Sequence, residues 1–230
     1  MSFNSTIPKI NKKLENILII GGGGRENALG WAIQKNELIK KIYISPGNAG
    51  SEKIKKCIRI DLDTTDKKEI ITKLNSLEID LVVIGPEIPL AEGLGDYLRK
   101  NNFDVFGPNQ DGARLEYSKS WAKEFMKNAN IPTSKFWKVE SFEDAQKIIN
   151  SFKEPLVVKA DGLASGKGVF IPETKDECLQ ATKTIFNGKF GKSAQIVVLE
   201  ERIEGPEVSI FALCDGEKLI VLPPAQDHKR

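Results

Sequence analysis

Residues 156–172 read LVVKADGLASGKGVFIP: an apolar run, a loop with three glycines, and a second apolar run that ends in proline. Glycine lets the backbone turn tightly and approach an anion, and Lys159 and Lys167 add positive charge at either end of the loop. The pattern therefore predicts a strand, a loop folded over phosphate groups, and a second strand. An ordinary glycine-rich hairpin turn is the alternative.

The spacing of this loop excludes a Walker loop, which has four residues between its first glycine and its Gly-Lys pair, followed by Ser or Thr. Three residues separate Gly162 from Gly166, and Gly168 occupies the position of the hydroxyl residue. A Walker loop also opens a helix, whereas Val169 begins a short apolar run. We therefore predict that a hairpin covers the phosphates of a nucleotide.

The length of 230 residues fits one large domain or two small ones, and the formal net charge of +2 gives no argument for a nucleic-acid or membrane partner. Three widely separated cysteines match no zinc or redox spacing and suit reduced thiols. The N-terminal stretch is polar, and no segment is long enough to span a bilayer. We expect a soluble cytoplasmic protein, and the sequence leaves its oligomeric state open.

Short apolar runs alternate with amphipathic stretches from Ile17 onward, which predicts an α/β domain with a parallel sheet. Apolar residues at helical spacing between the third and fourth runs predict a helix capped by Thr65. The predicted strands of this domain are residues 17–20, 42–44, 57–60, 81–84 and 105–106.

A change of pattern after residue 108 predicts a second domain. A helix is expected to begin at Ser118, because Trp121, Phe125 and other apolar residues share one face, which we expect to lie in the core. Lys119 lies off this face and is available for a ligand. The second domain is predicted to contain strands 136–139, 156–158, 169–171, 196–199, 207–213 and 219–222 and helices 142–152 and 176–187. The chain stops after the polar residues 226–230, which indicates a truncation, with a flexible natural terminus as the alternative.

The glycine-rich residues 21–27 follow a predicted strand and open a helix, where unpaired backbone donors meet phosphates. A dinucleotide-binding loop would carry a third glycine in place of Glu26 and an acidic residue after the second strand, which argues against a dehydrogenase. A phosphorylated sugar fits better. Backbone donors from Gly23 to Arg25 can hold its phosphate, while Glu26 or Glu87 accepts hydrogen bonds from its hydroxyls or from an amine.

Two further loops, residues 46–50 and 85–89, come at the ends of the second and fourth predicted strands. Each is rich in Pro, Gly or Asn and is by itself an ordinary turn sequence. Because the carboxyl ends of parallel strands meet at one sheet edge, we expect these loops to join residues 21–27 in one binding site.

Residues 197–209 run from a predicted strand through acidic residues and a Gly-Pro turn into another strand. A charged hairpin is one interpretation. The other is a hinge whose backbone pairs with the edge of an adenine, with Glu207 accepting hydrogen bonds from ribose hydroxyls. The single histidine, His228, has no metal-ligand partner at usable spacing. No Ser-His-Asp or Cys-His arrangement indicates a covalent nucleophile.

In order and spacing, these segments resemble ATP-grasp ligases of the glycinamide ribonucleotide synthetase family over residues 16–230. The motifs that carry the resemblance are residues 22–27, 46–50, 85–90, 106–108, 118–119, 159–169 and 226–230. The resemblance implies a Rossmann-like parallel-sheet domain followed by an incomplete ATP-grasp domain of the α+β type. The implied divisions are a polar extension (1–15), a phosphosugar-binding domain (16–116), a helical connection (117–135), an ATP-binding subdomain (136–206) and the start of a central subdomain (207–230).

This family joins glycine to 5-phosphoribosylamine in de novo purine biosynthesis, with ATP cleaved to ADP and phosphate through a glycyl phosphate. Positioning and charge neutralisation dominate such phosphoryl transfer. The resemblance also implies Mg or Mn, whose ligands are expected beyond Arg230, so no metal ligand is expected in this chain. We therefore expect the chain alone to lack ligase activity. The alternatives are a nucleotide- or phosphosugar-binding module without turnover and a dehydrogenase.

The resemblance assigns site residues by their positions. ATP contacts are assigned to Lys119, Lys159, Gly162, Gly166, Lys167, Gly168, Glu200, Glu201, Arg202, Ile203 and Glu207. Contacts with phosphoribosylamine are assigned to Gly23, Gly24, Arg25, Glu26, Gly47, Asn48, Pro86 and Glu87, and the catalytic candidates are Asp227 and Lys229. Asn27 replaces a histidine that is usual in the family, and Arg202 replaces a commonly apolar hinge residue.

Overall fold

The computed structural model describes residues 13–162, 168–189 and 196–227. They form two compact units. The first comprises the described chain to Asn128 together with Asp161 and Gly162, and the second begins at Ala129 and holds the other described residues. No helix in these ranges is long and apolar enough to cross a membrane.

The first unit is built on five strands: β1 (Asn16–Gly21), β2 (Lys41–Pro46), β3 (Cys57–Arg59), β4 (Leu81–Ile84) and β5 (Asp104–Phe106). They form one parallel sheet in the order β3-β2-β1-β4-β5, which confirms the predicted α/β domain. The chain moves outward from β1 to β3 and then returns to β4 on the other side of β1. The topological switch point, where open parallel sheets bind ligands, therefore lies between β1 and β4.

Strand β1 is buried on both of its faces. Leu18 and Ile20 belong to one apolar cluster and Ile17 and Ile19 to another, as expected for side chains that alternate across a sheet. Each is 2% exposed or less. Burial of one such side chain stabilises the fold by about 1.5–3 kcal/mol, so the continuous apolar run of β1 fixes it at the centre of the sheet.

The helices of the first unit are α1 (Gly24–Ile33), α2 (Lys67–Ser76), α3 (Glu87–Ala91), α4 (Leu94–Lys100), α5 (Gln110–Tyr117) and α6 (Lys119–Asn128). Asp66 caps α2, since its Oδ1 accepts from the N–H groups of Lys68 and Glu69, both at 3.0 Å. The prediction that Thr65 caps this helix is wrong, because the Thr65 hydroxyl donates to Asp63 instead.

Two other predictions about the first unit need correction. Residues 85–89, predicted as a loop, include the start of α3, which tolerates Pro89 because the first helical residues have no intrahelical partner for a backbone N–H. Helix α6 follows Ser118 as predicted, but its apolar stripe is not the buried face. Phe125 is 44% exposed, and the buried residues of α6 are Ser120 and Lys123.

The second unit contains an antiparallel sheet of β6 (Phe136–Val139), β7 (Val157–Ala160), β8 (Val169–Phe170) and β9 (Val197–Glu200), in the order β6-β9-β7-β8. Helices α7 (Phe142–Ser151) and α8 (Lys175–Phe186) share one apolar core with this sheet, in which Ile149 and Ile185 pack with Val158 and other residues. Strands β7 and β8 pair on either side of the glycine-rich loop, which confirms the predicted order of strand, loop and strand.

The last described strands are β10 (Glu207–Ser209), β11 (Ala212–Cys214), β12 (Leu219–Val221) and β13 (Ala225–Asp227). They form two separate antiparallel pairs, β10 with β13 and β11 with β12. The prediction of a single strand over residues 207–213 is wrong, because the chain changes pairing partner between Ser209 and Ala212. Many apolar side chains of this segment are exposed, among them Val208, Ile210, Phe211, Leu219, Ile220 and Val221.

Candidate functional site

The carboxyl ends of β1, β2 and β4 bring the three predicted substrate loops together at the switch point of the sheet. Gly21 lies opposite Pro46 in the register of β1 and β2, and the Gly47 N–H donates to the Gly21 carbonyl. The Gly85 N–H donates to the Ile20 carbonyl on the other side of β1. The three loops therefore converge as the sequence predicts.

Glu26 is a buried carboxylate among these loops, with 3% of its surface exposed. Its Oε2 accepts from the Gly23 N–H at 2.7 Å, as in the return half of a capping box, and its Oε1 accepts from Arg25 Nε at 2.9 Å. Two glycines make room for the side chain. A Cβ at Gly21 would lie 2.5 Å from Glu26 Cγ, and one at Gly85 would lie 2.7 Å from Cγ and Cδ. Both carboxylate oxygens of Glu26 are thus engaged within the protein.

Arg25 bridges Glu26 and Glu87, whose carboxylates lie 2.9 and 3.1 Å from its guanidinium nitrogens. The hydrogen bond with Glu26 raises the pKa of Arg25. Burial by itself would raise the pKa of Glu87, but hydrogen bonds from its own backbone N–H and from Arg25 outweigh burial and lower it. The side chain of Arg25 is 55% exposed, so its positive charge is accessible from solvent.

Asn48 fastens its loop to the glycine-rich loop after β1. Its Nδ2 donates to the carbonyls of Gly22 and Gly23 at 3.0 and 3.2 Å, and its Oδ1 accepts from the Gly50 N–H at 2.8 Å. Both amide hydrogens of Asn48 are therefore used within the protein. Asn27 lies beside this loop, and its Oδ1 is buried with no hydrogen-bond partner among the described residues.

In the second unit, Lys159 of β7 is paired with Glu200 at the end of β9. Lys159 Nζ lies 2.9 Å from Glu200 Oε1, and the Ser134 hydroxyl donates to Glu200 Oε2 at 2.8 Å. Glu200 is 5% exposed, whereas the Lys159 side chain is 26% exposed. The contact of Ser134 is not predictable from the sequence, because no local pattern signals a partner 66 residues away.

The segment after β9 that is predicted to be a hinge borders a cavity of about 670 Å³ through Glu201, Arg202 and Glu204. This volume is within the usual range of ligand pockets. Arg202 pairs there with Glu173 at 3.2 Å and with Glu204 at 3.5 Å. The cavity is lined by Phe152, Lys153, Glu154, Pro155, Leu156, Glu173, Glu201, Arg202 and Glu204. Strand β9 pairs with β6 and β7, and β10 pairs with β13, so the alternative of a charged hairpin over residues 197–209 is wrong.

The first unit also contains Lys119, at the start of α6. Its Nζ donates to the Gly162 carbonyl at 3.0 Å. Gly162 has a φ of +95°, in the left-handed region that favours glycine. The side chain of Lys119 is therefore in direct contact with the base of the glycine-rich loop.

Some of the remaining predicted site residues lie in the described part of the chain, and others lie outside it. The Ala160 N–H donates to the Gly168 carbonyl at 2.7 Å, next to the paired residues of β7 and β8. Glu207 and Asp227 lie opposite each other in the register of β10 and β13. Gly166, Lys167 and Lys229 lie outside the described residues. Over the described ranges, no group of three or more His, Cys, Asp or Glu residues is placed to hold a metal ion.

Two models of protein families together match nearly the whole chain. Residues 15–116 match the model for phosphoribosylglycinamide synthetase, N domain, and residues 117–230 match the model for phosphoribosylglycinamide synthetase, ATP-grasp (A) domain. The chain belongs to the phosphoribosylglycinamide synthetase family. This confirms the resemblance inferred from the sequence motifs. The N-domain match contains the switch-point loops, and the A-domain match contains Lys119, Lys159 and residues 201–204.

Curated relatives of this chain include two bacterial phosphoribosylamine–glycine ligases. The protein from Nostoc sp. is 42% identical over 214 residues, a match that covers 93% of this chain and 50% of the relative. The protein from Rhodopirellula baltica is 41% identical over 221 residues, covering 93% of this chain and 50% of the relative. The chain thus spans about half the length of these curated relatives.

Two solved structures are similar to this chain. Phosphoribosylamine–glycine ligase from Thermotoga maritima matches with a TM-score of 0.75 at 33% identity, covering 91% of this chain and 49% of that chain. N5-carboxyaminoimidazole synthetase from Staphylococcus aureus, complexed with ADP, matches with a TM-score of 0.69 at 21% identity, covering 95% of this chain and 57% of that chain. The second likeness shows the fold alone.

Proposed function

We propose that this chain carries the substrate-binding and first ATP-binding parts of a ligase that joins glycine to 5-phosphoribosylamine, with ATP cleaved to ADP and phosphate. The observation that carries the proposal is the consecutive match of both synthetase domains over residues 15–230. Two curated relatives bear the name of this activity, and this chain matches about half of the length of each. The substrates are small molecules, and the free thiols of Cys57, Cys178 and Cys214 fit a cytoplasmic location.

The switch-point loops of the first unit are proposed to bind phosphoribosylamine. Arg25 supplies the charge for its phosphate, because the side chain is half exposed and its guanidinium is held in place by two carboxylates. The Gly23 N–H already donates to Glu26, so the backbone of Gly24 and Arg25 is the better candidate for further phosphate contacts. Glu26 is assigned the role of holding Arg25, and Glu87, which is more exposed, that of accepting from the sugar.

Lys159 of the second unit is proposed to contact the ATP phosphates. Its side chain is partly exposed, and the buried carboxylate of Glu200 holds its ammonium group in place. The backbone of residues 201–203 is proposed to pair with adenine beside the hinge cavity. Neither Lys159 nor Glu200 lines that cavity. We therefore assign the Lys159–Glu200 pair to the phosphates and the cavity to the adenine. Lys119 is proposed as a second phosphate contact.

The proposed chemistry needs no covalent enzyme intermediate. The glycine carboxylate attacks the γ-phosphate, ADP leaves, and the sugar amine then displaces phosphate from the acyl phosphate to form the amide. Residues of this chain contribute positioning and positive charge. A divalent cation, Mg or Mn, supplies further charge neutralisation in such reactions. The described residues contain no fitting donor cluster, so we assign none of them as its ligands.

Isothermal titration calorimetry on the 230-residue chain tests the proposal. We expect ATP to bind and NADH not to bind, and we expect Lys159→Met to weaken ATP at least about 10-fold through loss of a charge-assisted contact. Lys147→Met, which removes an exposed lysine with its own ion pair, is the matched control and should leave ATP affinity unchanged. We expect no ADP release from the chain alone with glycine and phosphoribosylamine. Binding of NADH without ATP would overturn the proposal.

A further inference from the structure

Asp161 is a buried carboxylate at the end of β7, with 8% of its surface exposed. Its Oδ1 accepts from the Ser120 N–H at 3.1 Å. Its Oδ2 accepts from the Ser120 hydroxyl at 2.6 Å and from the Ser118 hydroxyl at 3.2 Å. One side chain therefore anchors the start of α6, more than 40 residues earlier in the chain.

These contacts satisfy the first turn of α6. The first N–H groups of a helix have no intrahelical partner, and a negative charge near them is favourable. Asp161 accepts from Ser120 N–H, and the Ser118 hydroxyl oxygen accepts from the Trp121 N–H at 3.3 Å. Because a protein carboxylate already occupies this helix end, a nucleotide phosphate is not expected to bind to its backbone donors.

Lys119 lies between the two serines that Asp161 holds. Its ammonium group donates to the carbonyl of Gly162, the residue that follows Asp161. Asp161 thus holds the residues on both sides of Lys119, and Gly162 accepts a hydrogen bond from the tip of its side chain. Long lysine side chains lose much conformational freedom when they bind, so holding one in advance favours binding.

We propose that Asp161 is a positioning residue, which sets Lys119 for contact with the phosphates of a nucleotide. This inference rests on the proposed assignment of Lys119 to ATP. A helix cap that only stabilises the fold would leave the phosphate contact unaffected. A positioning role requires that the effect of Asp161 on binding pass through Lys119.

A double-mutant cycle on the 230-residue chain separates these roles. ATP and adenosine are titrated into the wild type, Asp161→Asn, Lys119→Met and the double variant. We expect Asp161→Asn to weaken ATP about 10-fold and to leave adenosine unchanged, because only the phosphate contact is lost. We also expect the double variant to bind ATP no more weakly than Lys119→Met.

Two further variants guard against a folding defect. Ser120→Ala removes one hydroxyl but keeps the backbone contact, and we expect it to weaken ATP about 3-fold with adenosine unchanged. Asp66→Asn alters the matched aspartate cap of α2 and should change neither ligand. Equal weakening of ATP and adenosine, or additive losses in the double variant, would overturn the positioning role alone. Absence of any ATP binding by the wild type would instead overturn the proposed nucleotide function and the inference with it.

Discussion

Lys159 and Glu200 form an ion pair of 2.9 Å between neighbouring strands, and the glutamate is the more deeply buried partner. Strand β7 carries Lys159 and strand β9 ends at Glu200. The Ser134 hydroxyl binds the second carboxylate oxygen, so both oxygens of Glu200 have contacts within the second unit. The pair joins three separate segments of the chain next to the hinge.

We predict that Glu200→Gln lowers the free energy of unfolding by about 1–3 kcal/mol, because a buried hydrogen-bonding carboxylate loses its charge opposite Lys159. Urea denaturation measures the effect. The matched control is Glu201→Gln. Glu201 pairs with Lys135, whose side chain is 77% exposed, and this pair should contribute less than about 0.5 kcal/mol. Equal denaturation midpoints for the two variants would show that the Lys159–Glu200 pair contributes no more to the free energy of unfolding than the Lys135–Glu201 pair.

Gly85→Ala is predicted to destabilise the first unit by about 1–3 kcal/mol, because the added Cβ overlaps the buried and hydrogen-bonded Glu26 side chain. Gly24→Ala is the control. No atom lies within 4 Å of a Cβ at Gly24, the first residue of α1, and alanine there should be neutral or stabilise by up to about 1 kcal/mol. Thermal unfolding of both variants checks this, and an unchanged midpoint for Gly85→Ala would contradict the packing of Glu26.

The Arg25–Glu87 pair predicts a small dependence of stability on pH. Against the effect of burial, hydrogen bonds from its own backbone N–H and from Arg25 lower the pKa of Glu87 in the folded chain from its ordinary value of 4.5. These contacts therefore stabilise above that value, and their contribution is lost as pH falls through the lower folded pKa. Both side chains are more than a third exposed, so we expect less than about 0.5 kcal/mol at pH 7.

Glu87→Gln tests this dependence by comparison of unfolding free energies with the wild type from pH 7 to pH 3. The difference should be largest near neutral pH and should disappear at the acidic end. High salt should shrink it as well, because exposed charges are screened. A difference that grows as pH falls would have the wrong sign for this ion pair.

The cysteines are predicted to differ in reactivity. Burial raises the pKa of the thiols of Cys57 and Cys178, which disfavours the reactive thiolate, whereas Cys214 is exposed on β11. Labelling with a chromogenic disulfide at pH 8 should therefore show one fast thiol in the native chain and three after denaturation. Cys214→Ser should remove the fast phase, and a fast phase that survives this substitution would contradict the partial burial of Cys57 or the burial of Cys178.

The parts of the fold that could be predicted from sequence are those encoded by local patterns. The apolar run of β1 indicates a strand buried on both faces, and the spacing around Gly162 and Gly166 distinguishes a hairpin from a Walker loop. Helix α3 was missed because Pro86 and Pro89 read as turn residues, although proline is compatible with a first helical turn.

Contacts between distant residues could not be predicted in this way. Glu26 has the chemistry of a ligand-binding carboxylate, and only the folded chain shows that Gly85, which follows β4 and is distant in sequence, leaves room for its side chain. The same holds for Asp161, whose partners lie more than 40 residues away. No periodicity in the sequence signals either arrangement.

The most direct test of the ligase proposal is the activity of a chimera. Residues 15–230 would replace the matching residues of the Nostoc phosphoribosylamine–glycine ligase, which is 42% identical over this stretch. We predict ADP release that requires both glycine and phosphoribosylamine, and its loss by at least about 100-fold in the chimera with Lys159→Met. A folded chimera that binds ATP as tightly as the Nostoc enzyme, but releases ADP without dependence on these two substrates or not at all, would contradict the proposal.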